Sequence, residues 1–320
     1  MGLLVAVVLL AAAAALLAAA ALWRIGAASQ QPRIVQNDAL PDERIEWSET
    51  TFTSGSSRLA GWLLQPVGGA RASNPLVIVA HGWGSNRSRV LRYAYPLCEA
   101  GYAVLMYDAR SHGESERIKA PSALMFRDDV LAAVRYARTL PGIDPERIAL
   151  LGHSLGGFGS LLAIAEGLDV SAIVTDSMPV KFETMLQAEL KRKGLPKFPL
   201  AYVIPAVWLL RAGISREQFR RADIPAILGD WCRRTKSRIP ILMIHSHGDD
   251  FIPATDLQQL EKQQSAGCLQ TLYVSSEGHS ASQQDPAFWN SVLPFLHAAL
   301  VPCGQEKQPD KRLEARIGES

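Results

Sequence analysis

The sequence predicts an α/β protein whose single, mostly parallel sheet is covered by helices on both faces. Short, continuously apolar runs alternate along the chain with longer amphipathic segments, which is typical of strands joined by crossover helices. The runs "PLVIVAHG", "YAVLMYDARSHG" and "RIALLGH" each end in glycine or polar residues. Functional residues in such sheets gather at the carboxyl ends of the strands, so these endings are the first candidates for a site.

The predicted elements follow one another between residues 43 and 301, the segment we interpret as one domain. "RIEWSETTF" and "SRLAGWLLQP" predict two edge strands joined by the turn "TSGSS". The strand "PLVIVAHG", the helix "SRVLRYAYPLCEAG", the strand "YAVLMYDARSHG" and the helix "ALMFRDDVLAAVRYARTL" come next. The strand and helix of "RIALLGHSLGGFGSLLAIAEGL" and the strand "VSAIVTDS" precede a long insertion. The strand "PILMIHSHGDD", a helix near 255–264, the strand "LQTLYVSS" and a last helix complete the pattern.

Both ends of the chain differ from this domain. Residues 1–23 carry no charged side chain, and a stretch of this length is predicted to be a transmembrane anchor. A cleaved signal peptide is the alternative, although the stretch is long for one and no basic residue precedes it. Arg24 and Arg33 follow it, so the positive-inside rule predicts that the remaining chain is cytoplasmic. Residues 24–42 are predicted to be a polar linker and residues 302–320 a disordered polar tail.

The composition is that of a globular protein with an apolar extension. The 320 residues are 48% hydrophobic and 20% charged, with a net charge of +2, and we expect no nucleic-acid partner. The sequence does not determine the oligomeric state. Four cysteines are scattered without CxxC spacing, which predicts free thiols and fits a reducing compartment. They are Cys98, Cys232, Cys268 and Cys303.

The corner "GHSLG", residues 152–156, places a serine between a buried strand and a helix. A chain that reverses from strand to helix in so few residues strains the corner, and bulky neighbours would clash, so glycine is needed on both sides. The hydroxyl of Ser154 is then held at a helix N-terminus, where backbone N–H groups stabilise an oxyanion. A serine N-cap among tightly packed glycines is the alternative interpretation.

A serine nucleophile needs a base, and the base needs a carboxylate to orient it. His279 follows the last predicted strand and a glycine, so it lies at a strand end like Ser154. Asp249 and Asp250 follow the strand "PILMIH". The order Ser154, Asp249, His279 places the base last, after the acid, as in the Ser-Asp-His order of one large hydrolase fold.

Five pieces of sequence carry a family resemblance: "HGWGSNR", "YDARSHGES", "GHSLGG", "HGDDFIP" and "EGH". Together they resemble α/β-hydrolases of the bacterial serine esterase and aminopeptidase-like group. The resemblance implies an α/β-hydrolase fold with Ser154 as nucleophile, Asp249 as acid and His279 as base. It also implies that the backbone N–H groups of Trp83 and Leu155 form the oxyanion hole. No metal and no organic cofactor is implied.

The acid-bearing segment "HSHGD", residues 245–249, departs from the H-G-x-x-D pattern common in this family. Serine replaces the usual glycine and Asp250 follows directly, so the choice between the two acids stays open. Counting forward from His245 and back from Pro253 favours Asp249. The same residues resemble the H-x-H-x-D-H zinc cluster of metallo-β-lactamase-like hydrolases. We favour a triad acid, because the last position is Asp and no further ligand-bearing loop is apparent.

The insertion at residues 181–238 is predicted to be a short helical cap. It contains 13 Lys or Arg against 5 Asp or Glu, yet its segment "FPLAYVIPAVWLL" has no charge. This pattern fits a lid that lies on an anionic membrane or a roof over an acyl pocket. A cap that packs its apolar face on the core and keeps its basic face in water is the alternative.

We therefore predict a membrane-anchored serine hydrolase that cleaves a small-molecule carboxylic ester through an acyl-enzyme. A thioesterase or a peptidase with the same triad is an alternative within the same chemistry. An inactive hydrolase fold that serves as a membrane-bound interaction module is the alternative from another class.

Overall fold

The computed structural model describes residues 2–69, 73–233, 239–264 and 267–301. Within these ranges one sheet contains eight strands: β1 Trp47–Ser54, β2 Ser57–Leu64, β3 Asn74–Ala80, β4 Ala103–Tyr107, β5 Ile143–His153, β6 Ala172–Asp176, β7 Ile241–Gly248 and β8 Gln270–Glu277. The same ranges contain the α-helices α1 Gly2–Ser29, α2 Leu91–Glu99, α3 Ala123–Ala137, α4 Leu155–Ala165, α5 Phe182–Arg192, α6 Lys197–Ala212, α7 Arg216–Arg221, α8 Ile224–Arg233, α9 Thr255–Gln263 and α10 Pro286–Leu300.

The strands are arranged in the order β1-β2-β4-β3-β5-β6-β7-β8. The pairs β1–β2 and β2–β4 are antiparallel, and every pair from β4 to β8 is parallel. The predicted mostly parallel α/β sheet with an antiparallel edge is therefore confirmed. Its parallel strands all end at one edge, which collects the glycine-rich and polar endings identified in the sequence.

The strands are apolar throughout because both faces of the sheet are covered. In β3 the side chains of Leu76 and Ile78 enter one core, and those of Val77 and Val79 enter the other. Helices α3 and α4 pack on the first face, and α2 and α10 pack on the second. Alternate residues of a strand point to opposite faces, so a sheet buried on both sides selects continuous apolar runs.

Helices α5, α6, α7 and α8 lie between β6 and β7, where the sequence predicts a helical cap. A small core of its own holds part of this segment together: Leu186, Leu190, Leu200 and Ile204 are buried against one another. The last residues of the predicted cap, 234–238, and the predicted tail, 302–320, lie outside the described residues. The exact domain boundaries therefore stay predictions.

The N-terminal helix α1 is long and apolar enough to cross a membrane, by length and composition alone. Near an N-terminus such a helix is either an anchor or a signal sequence. The helix continues to Ser29, so the first part of the predicted linker 24–42 is helical. Gly26 lets this part of α1 pack closely on the cap, because a Cβ added to it would lie 2.8 Å from the Cβ of Val207 in α6.

The cysteines correct one prediction. Cys232, in α8, forms a disulfide with Cys268, just before β8, across 36 residues of sequence and a Cα–Cα distance of 5.8 Å. The expectation of free thiols is therefore wrong for this pair, which is brought together by the packing of the cap. Cys98 is a buried free thiol, and Cys303 lies outside the described residues. A disulfide persists in oxidising compartments, so this bond argues against the reducing compartment that we expected.

Candidate active site

The turn from β5 to α4 holds Ser154 in a strained backbone conformation, with φ 52° and ψ −121°. Glycine neighbours make this turn possible. A Cβ at Gly156 would lie 2.2 Å from the carbonyl oxygen of Ala80, and a Cβ at Gly82 would lie 2.7 Å from the Cβ of Ser154. The strand-turn-helix geometry expected for "GHSLG" is therefore present, and it aims the hydroxyl across the carboxyl edge of the sheet.

Three side chains from separate strand ends form a hydrogen-bonded chain. The Oγ of Ser154 lies 3.0 Å from Nε2 of His279, and Nδ1 of His279 lies 2.8 Å from Oδ2 of Asp249. A carboxylate accepts only, so Nδ1–H donates to Asp249 and Nε2 is free to accept from the serine hydroxyl. The side chain of Asp249 is fully buried, whereas Ser154 is 8% exposed and the side chain of His279 is 19% exposed. The hydroxyl and one face of the imidazole are thus within reach of a ligand.

The carboxylate of Asp249 is surrounded by donors. Its Oδ1 accepts the backbone N–H groups of Phe251 and Ile252, both at 2.9 Å. His245 lies 3.3 Å from Oδ2 and donates its Nε2–H to the carbonyl of Ile252 at 2.8 Å. Burial raises the pKa of the Asp249 carboxyl, but the hydrogen bonds from His245 and His279 outweigh burial and hold that pKa below its ordinary value. The carboxyl is therefore ionised at neutral pH.

The neighbouring acid makes a different contact. Asp250 accepts the backbone N–H of His279 through Oδ1 at 3.2 Å and does not contact the imidazole. The two loops are also joined by the N–H of Gly278, which donates to the carbonyl of Gly248 at 2.8 Å. Asp250 thus holds the loop that carries His279, while Asp249 contacts the ring.

The two predicted oxyanion donors lie on different segments. Leu155 directly follows Ser154 in the chain, and Trp83 directly follows Gly82, which approaches Ser154 closely. Among the described residues, the backbone N–H groups of Trp83 and Leu155 have no hydrogen-bond acceptor. His81 fixes the loop that carries Trp83, because its Nε2 accepts from the N–H of Ala109 and its Nδ1–H donates to the carbonyl of Gly82. Burial lowers the pKa of His81 to about 4, so the ring is neutral and keeps this tautomer.

His153 is a contributor that the sequence reasoning did not identify. Its Nε2–H donates to the backbone carbonyl of His279 at 2.9 Å, and the two rings lie 5.0 Å apart. Burial holds the pKa of His153 well below its ordinary value, so the side chain is neutral. The position directly before Ser154 was the available signal, since that residue lies at the end of β5 beside the same loop.

A cavity of about 330 Å³ lies between the cap and helices α3 and α4. Its apolar lining includes Phe158, Phe182 and Trp208. Two contacts join it to the site: Phe158 follows Ser154 by one helical turn, and the ring of Trp208 stacks on Trp83 at 5.8 Å. Acidic and basic side chains border the cavity as well, including Glu183, Asp223 and Arg220.

The geometry does not support the alternative interpretation of residues 245–250 as a zinc cluster. His245 contacts Asp249, whereas the ring of His247 stacks on Tyr273 at 5.4 Å. In the part of the chain that the structure describes, no group of three or more His, Cys, Asp or Glu side chains is arranged to hold a metal ion.

Comparison with known proteins bears on the fold. Residues 71–212 match the model of a family described as serine aminopeptidase, S33. The structure also superimposes on the esterase Pf2001 of Pyrococcus furiosus with a TM-score of 0.63 and 20% identity, covering 84% of this chain and 99% of that chain. The chain has the α/β-hydrolase fold. The matched family segment contains Ser154 and Trp83, whereas Asp249 and His279 lie beyond it.

Two curated proteins from bacteria are similar to this chain in sequence. The uncharacterized protein YfhR of Escherichia coli O157:H7 is 27% identical over 224 residues, which is 67% of this chain and 69% of that protein. The quorum-quenching protein AidA of Acinetobacter baumannii (strain MDR-ZJ06) is 33% identical over 136 residues, 41% of this chain and 43% of that protein. The chain is thus similar in sequence to each of these proteins over the stretch given.

Proposed function

We propose that this α/β-hydrolase is a membrane-anchored serine hydrolase that cleaves carboxylic esters through an acyl-enzyme. The observation that carries the proposal is the hydrogen-bonded chain from Ser154 through His279 to the buried carboxylate of Asp249. A serine activated by a base that a carboxylate orients is the arrangement that acyl transfer needs. The fold shared with an esterase supports the same chemistry.

In the first half-reaction the Oγ of Ser154 attacks the ester carbonyl carbon and its proton passes to Nε2 of His279. The ionised Asp249 stabilises the imidazolium that forms. The carbonyl oxygen becomes an oxyanion and accepts hydrogen bonds from the N–H groups of Trp83 and Leu155. The intermediate then collapses, the carbon–oxygen bond to the alcohol breaks, and the alcohol leaves with the proton from His279.

In the second half-reaction water attacks the acyl group on Ser154. His279 takes a proton from that water, the same two N–H groups bind the oxyanion, and Ser154 leaves with the proton as the carboxylic acid is released. The apolar lining of the cavity under the cap, which includes Phe158 and Trp208, supports an apolar acyl group, and the ring of Trp208 stacks on Trp83 beside the predicted oxyanion hole.

Amide hydrolysis is a second candidate because the matching family is described as a serine aminopeptidase. The same triad serves both bond types, and an amide differs in needing protonation of a poorer leaving group. Parallel assays with an acyl-chain series of p-nitrophenyl esters, the matching thioesters and aminoacyl p-nitroanilides separate the candidates. A higher kcat/KM for the anilides than for the esters would identify peptidase activity, rather than ester hydrolysis, as the function.

Covalent labelling with a fluorophosphonate tests the mechanism. The wild type should be labelled, and Ser154→Ala should not be labelled and should lose on the order of 10⁶ in kcat, because the nucleophile is gone. Ser160→Ala is the matched control: this serine lies on the same helix, donates to the carbonyl of Gly156 at 2.8 Å, and should keep labelling. Labelling that persists in Ser154→Ala would exclude the mechanism, and a wild type without labelling or hydrolysis would favour the interaction module.

The placement of the catalytic domain follows from two opposing features. Arg24 and Arg33 after the apolar span favour the cytoplasm, whereas the Cys232–Cys268 disulfide favours an oxidising compartment. We keep the cytoplasmic placement as the prediction, in which protease added to spheroplasts leaves the domain intact while a periplasmic marker is digested. Digestion of the domain from outside would reverse the orientation, and loss of α1 from the mature chain would identify a signal peptide.

A further inference from the structure

The cap ends in a group of exposed apolar side chains that the catalytic chemistry does not use. Leu195, Phe198 and Tyr202, here called the cap tip, lie between α5 and α6 and in the first two turns of α6, where the backbone of Phe198 is kinked out of the helical conformation. Phe198 is 78% exposed and Tyr202 is 74% exposed, and their rings contact each other at 6.3 Å. Two aromatic rings in contact with each other and exposed to water, with an exposed leucine three residues before Phe198 in sequence, are unfavourable, so this surface is suited to a partner.

Helix α1 is docked on α6 by specific contacts rather than left free. The indole N–H of Trp208 donates to the carbonyl of Gly26 at 2.9 Å and lies 3.0 Å from the Oγ of Ser29. Gln30 donates to the carbonyl of Trp208 at 3.1 Å and accepts from Nε of Arg211 at 2.9 Å. The position of the cap relative to the N-terminal helix is therefore fixed by hydrogen bonds.

The order of these contacts gives the direction of the two helices. Leu22 packs on the cluster that includes Leu200 and Ile204, whereas Gly26 meets Val207 and Gln30 reaches Arg211. Later residues of α1 thus contact later residues of α6, and the helices run in the same direction. The first turn of α6, with the cap tip, therefore projects toward the apolar part of α1 that precedes Leu22.

Four basic residues lie next to the cap tip in sequence. Lys191, Arg192, Lys193 and Lys197, here called the basic rim, are all exposed. Glu189 pairs with two of them, Arg192 and Lys193, so the rim keeps a positive net charge. Aromatic rings flanked by Lys and Arg are the composition of protein segments that lie at the interface of an anionic bilayer.

We propose that the cap tip inserts into the interfacial layer of an anionic bilayer beside α1, with the basic rim on the lipid headgroups. The inference rests on the part of the proposed function that has α1 cross a bilayer. The direction of α6 supports this proposal, because a helix that is docked parallel to a membrane-spanning segment has its N-terminal end directed toward the bilayer. Pro205, Trp208 and Leu209 of the same helix line the cavity, so esters that partition into the bilayer would reach the cavity from this side.

Depth measurements on the full chain in anionic lipid nanodiscs test this surface. Nitroxide labels are attached at Phe198→Cys, Tyr202→Cys, Leu10→Cys and Val67→Cys, in a chain whose Cys98 and Cys303 are replaced by alanine and serine. Accessibility to oxygen, which dissolves in lipid, is compared with accessibility to a water-soluble nickel chelate. Val67 is the matched control, since it is apolar, 52% exposed and lies past the end of β2, where the parallel strands begin.

The labels at Phe198 and Tyr202 should resemble the label at Leu10, with a higher ratio of oxygen to nickel accessibility than the label at Val67. Ratios equal to that at Val67 would overturn the inference, whether or not Leu10 lies in lipid. Neutral nanodiscs should give a lower ratio at Phe198, and an equal ratio would overturn the role of the basic rim. The measurement does not depend on catalysis, so the labels should lie at the same depth in the bilayer when Ser154→Ala is added. The depths can therefore be interpreted even if the ester assay shows no activity.

Discussion

At the scale of single residues, Asp249 and Asp250 show how two adjacent identical side chains take different tasks. The loop turns the carboxylate of Asp249 inward to the ring of His279 and that of Asp250 to the backbone N–H of the same residue. Residue counting from His245 favoured Asp249, but it did not reveal the donors around it. Backbone N–H groups turned toward a carboxylate are a property of loop geometry, which residue spacing does not contain.

Asp249→Asn should lower kcat by on the order of 10⁴, because an amide in place of the carboxylate stabilises the wrong imidazole tautomer. Asp250→Asn should keep most of the activity, since an amide oxygen still accepts the N–H of His279. Steady-state kinetics on one ester, with circular dichroism to verify folding, compares the two variants. Equal, mild losses in both would mean that the orienting carboxylate comes from elsewhere.

At the scale of elements, the cap is fastened to the sheet at two places that local sequence patterns did not predict. The ring of Trp208 stacks on Trp83, and Cys232 of α8 is bonded to Cys268 beside β8. Each contact joins residues far apart in sequence, so each depends on the packing of α6 and α8 rather than on any periodicity. The strands and helices themselves were predictable, because alternation of apolar runs and amphipathic segments is a local property.

Cys232→Ser should lower the free energy of unfolding by about 2–4 kcal/mol, because the bond closes a loop across 36 residues and restricts the unfolded chain. Urea unfolding measures the change. Reductant should destabilise the wild type by a similar amount and leave the double variant Cys232→Ser/Cys268→Ser unaffected. A wild type indifferent to reductant would show that the bond adds no stability.

At the scale of the whole molecule, buried neutral histidines set the response to acid. Burial lowers the pKa of His81 to about 4 and that of His112 to about 3, and it holds the pKa of His153 well below its ordinary value. Their folded-state pKa values lie below 6.5, so the unfolded chain binds protons first as the pH falls. The free energy of unfolding should therefore decrease from about pH 6.5 downward, by up to about 1.4 kcal/mol per pH unit for each histidine.

His112→Phe isolates one of these contributions. Its Nε2 has no partner among the described residues and its ring packs on Trp83 and Phe126, so phenylalanine keeps the packing and loses one hydrogen bond, to the carbonyl of Arg110. That loss is independent of pH. Urea unfolding at several pH values below neutrality should show a slope lower by about one proton. An unchanged slope would mean that His112 does not take part in acid unfolding.

The docking of α1 on α6 has a consequence for producing the enzyme without detergent. A shortened chain that begins at the domain boundary predicted from sequence, residue 43, discards Gly26, Ser29 and Gln30 along with the apolar helix. The indole of Trp208 then loses both of its acceptors, and the bare face of α6 promotes self-association. A shortened chain that begins at Leu22 is better suited to work without detergent. It lacks the apolar part of α1 and retains the residues that form hydrogen bonds with α6.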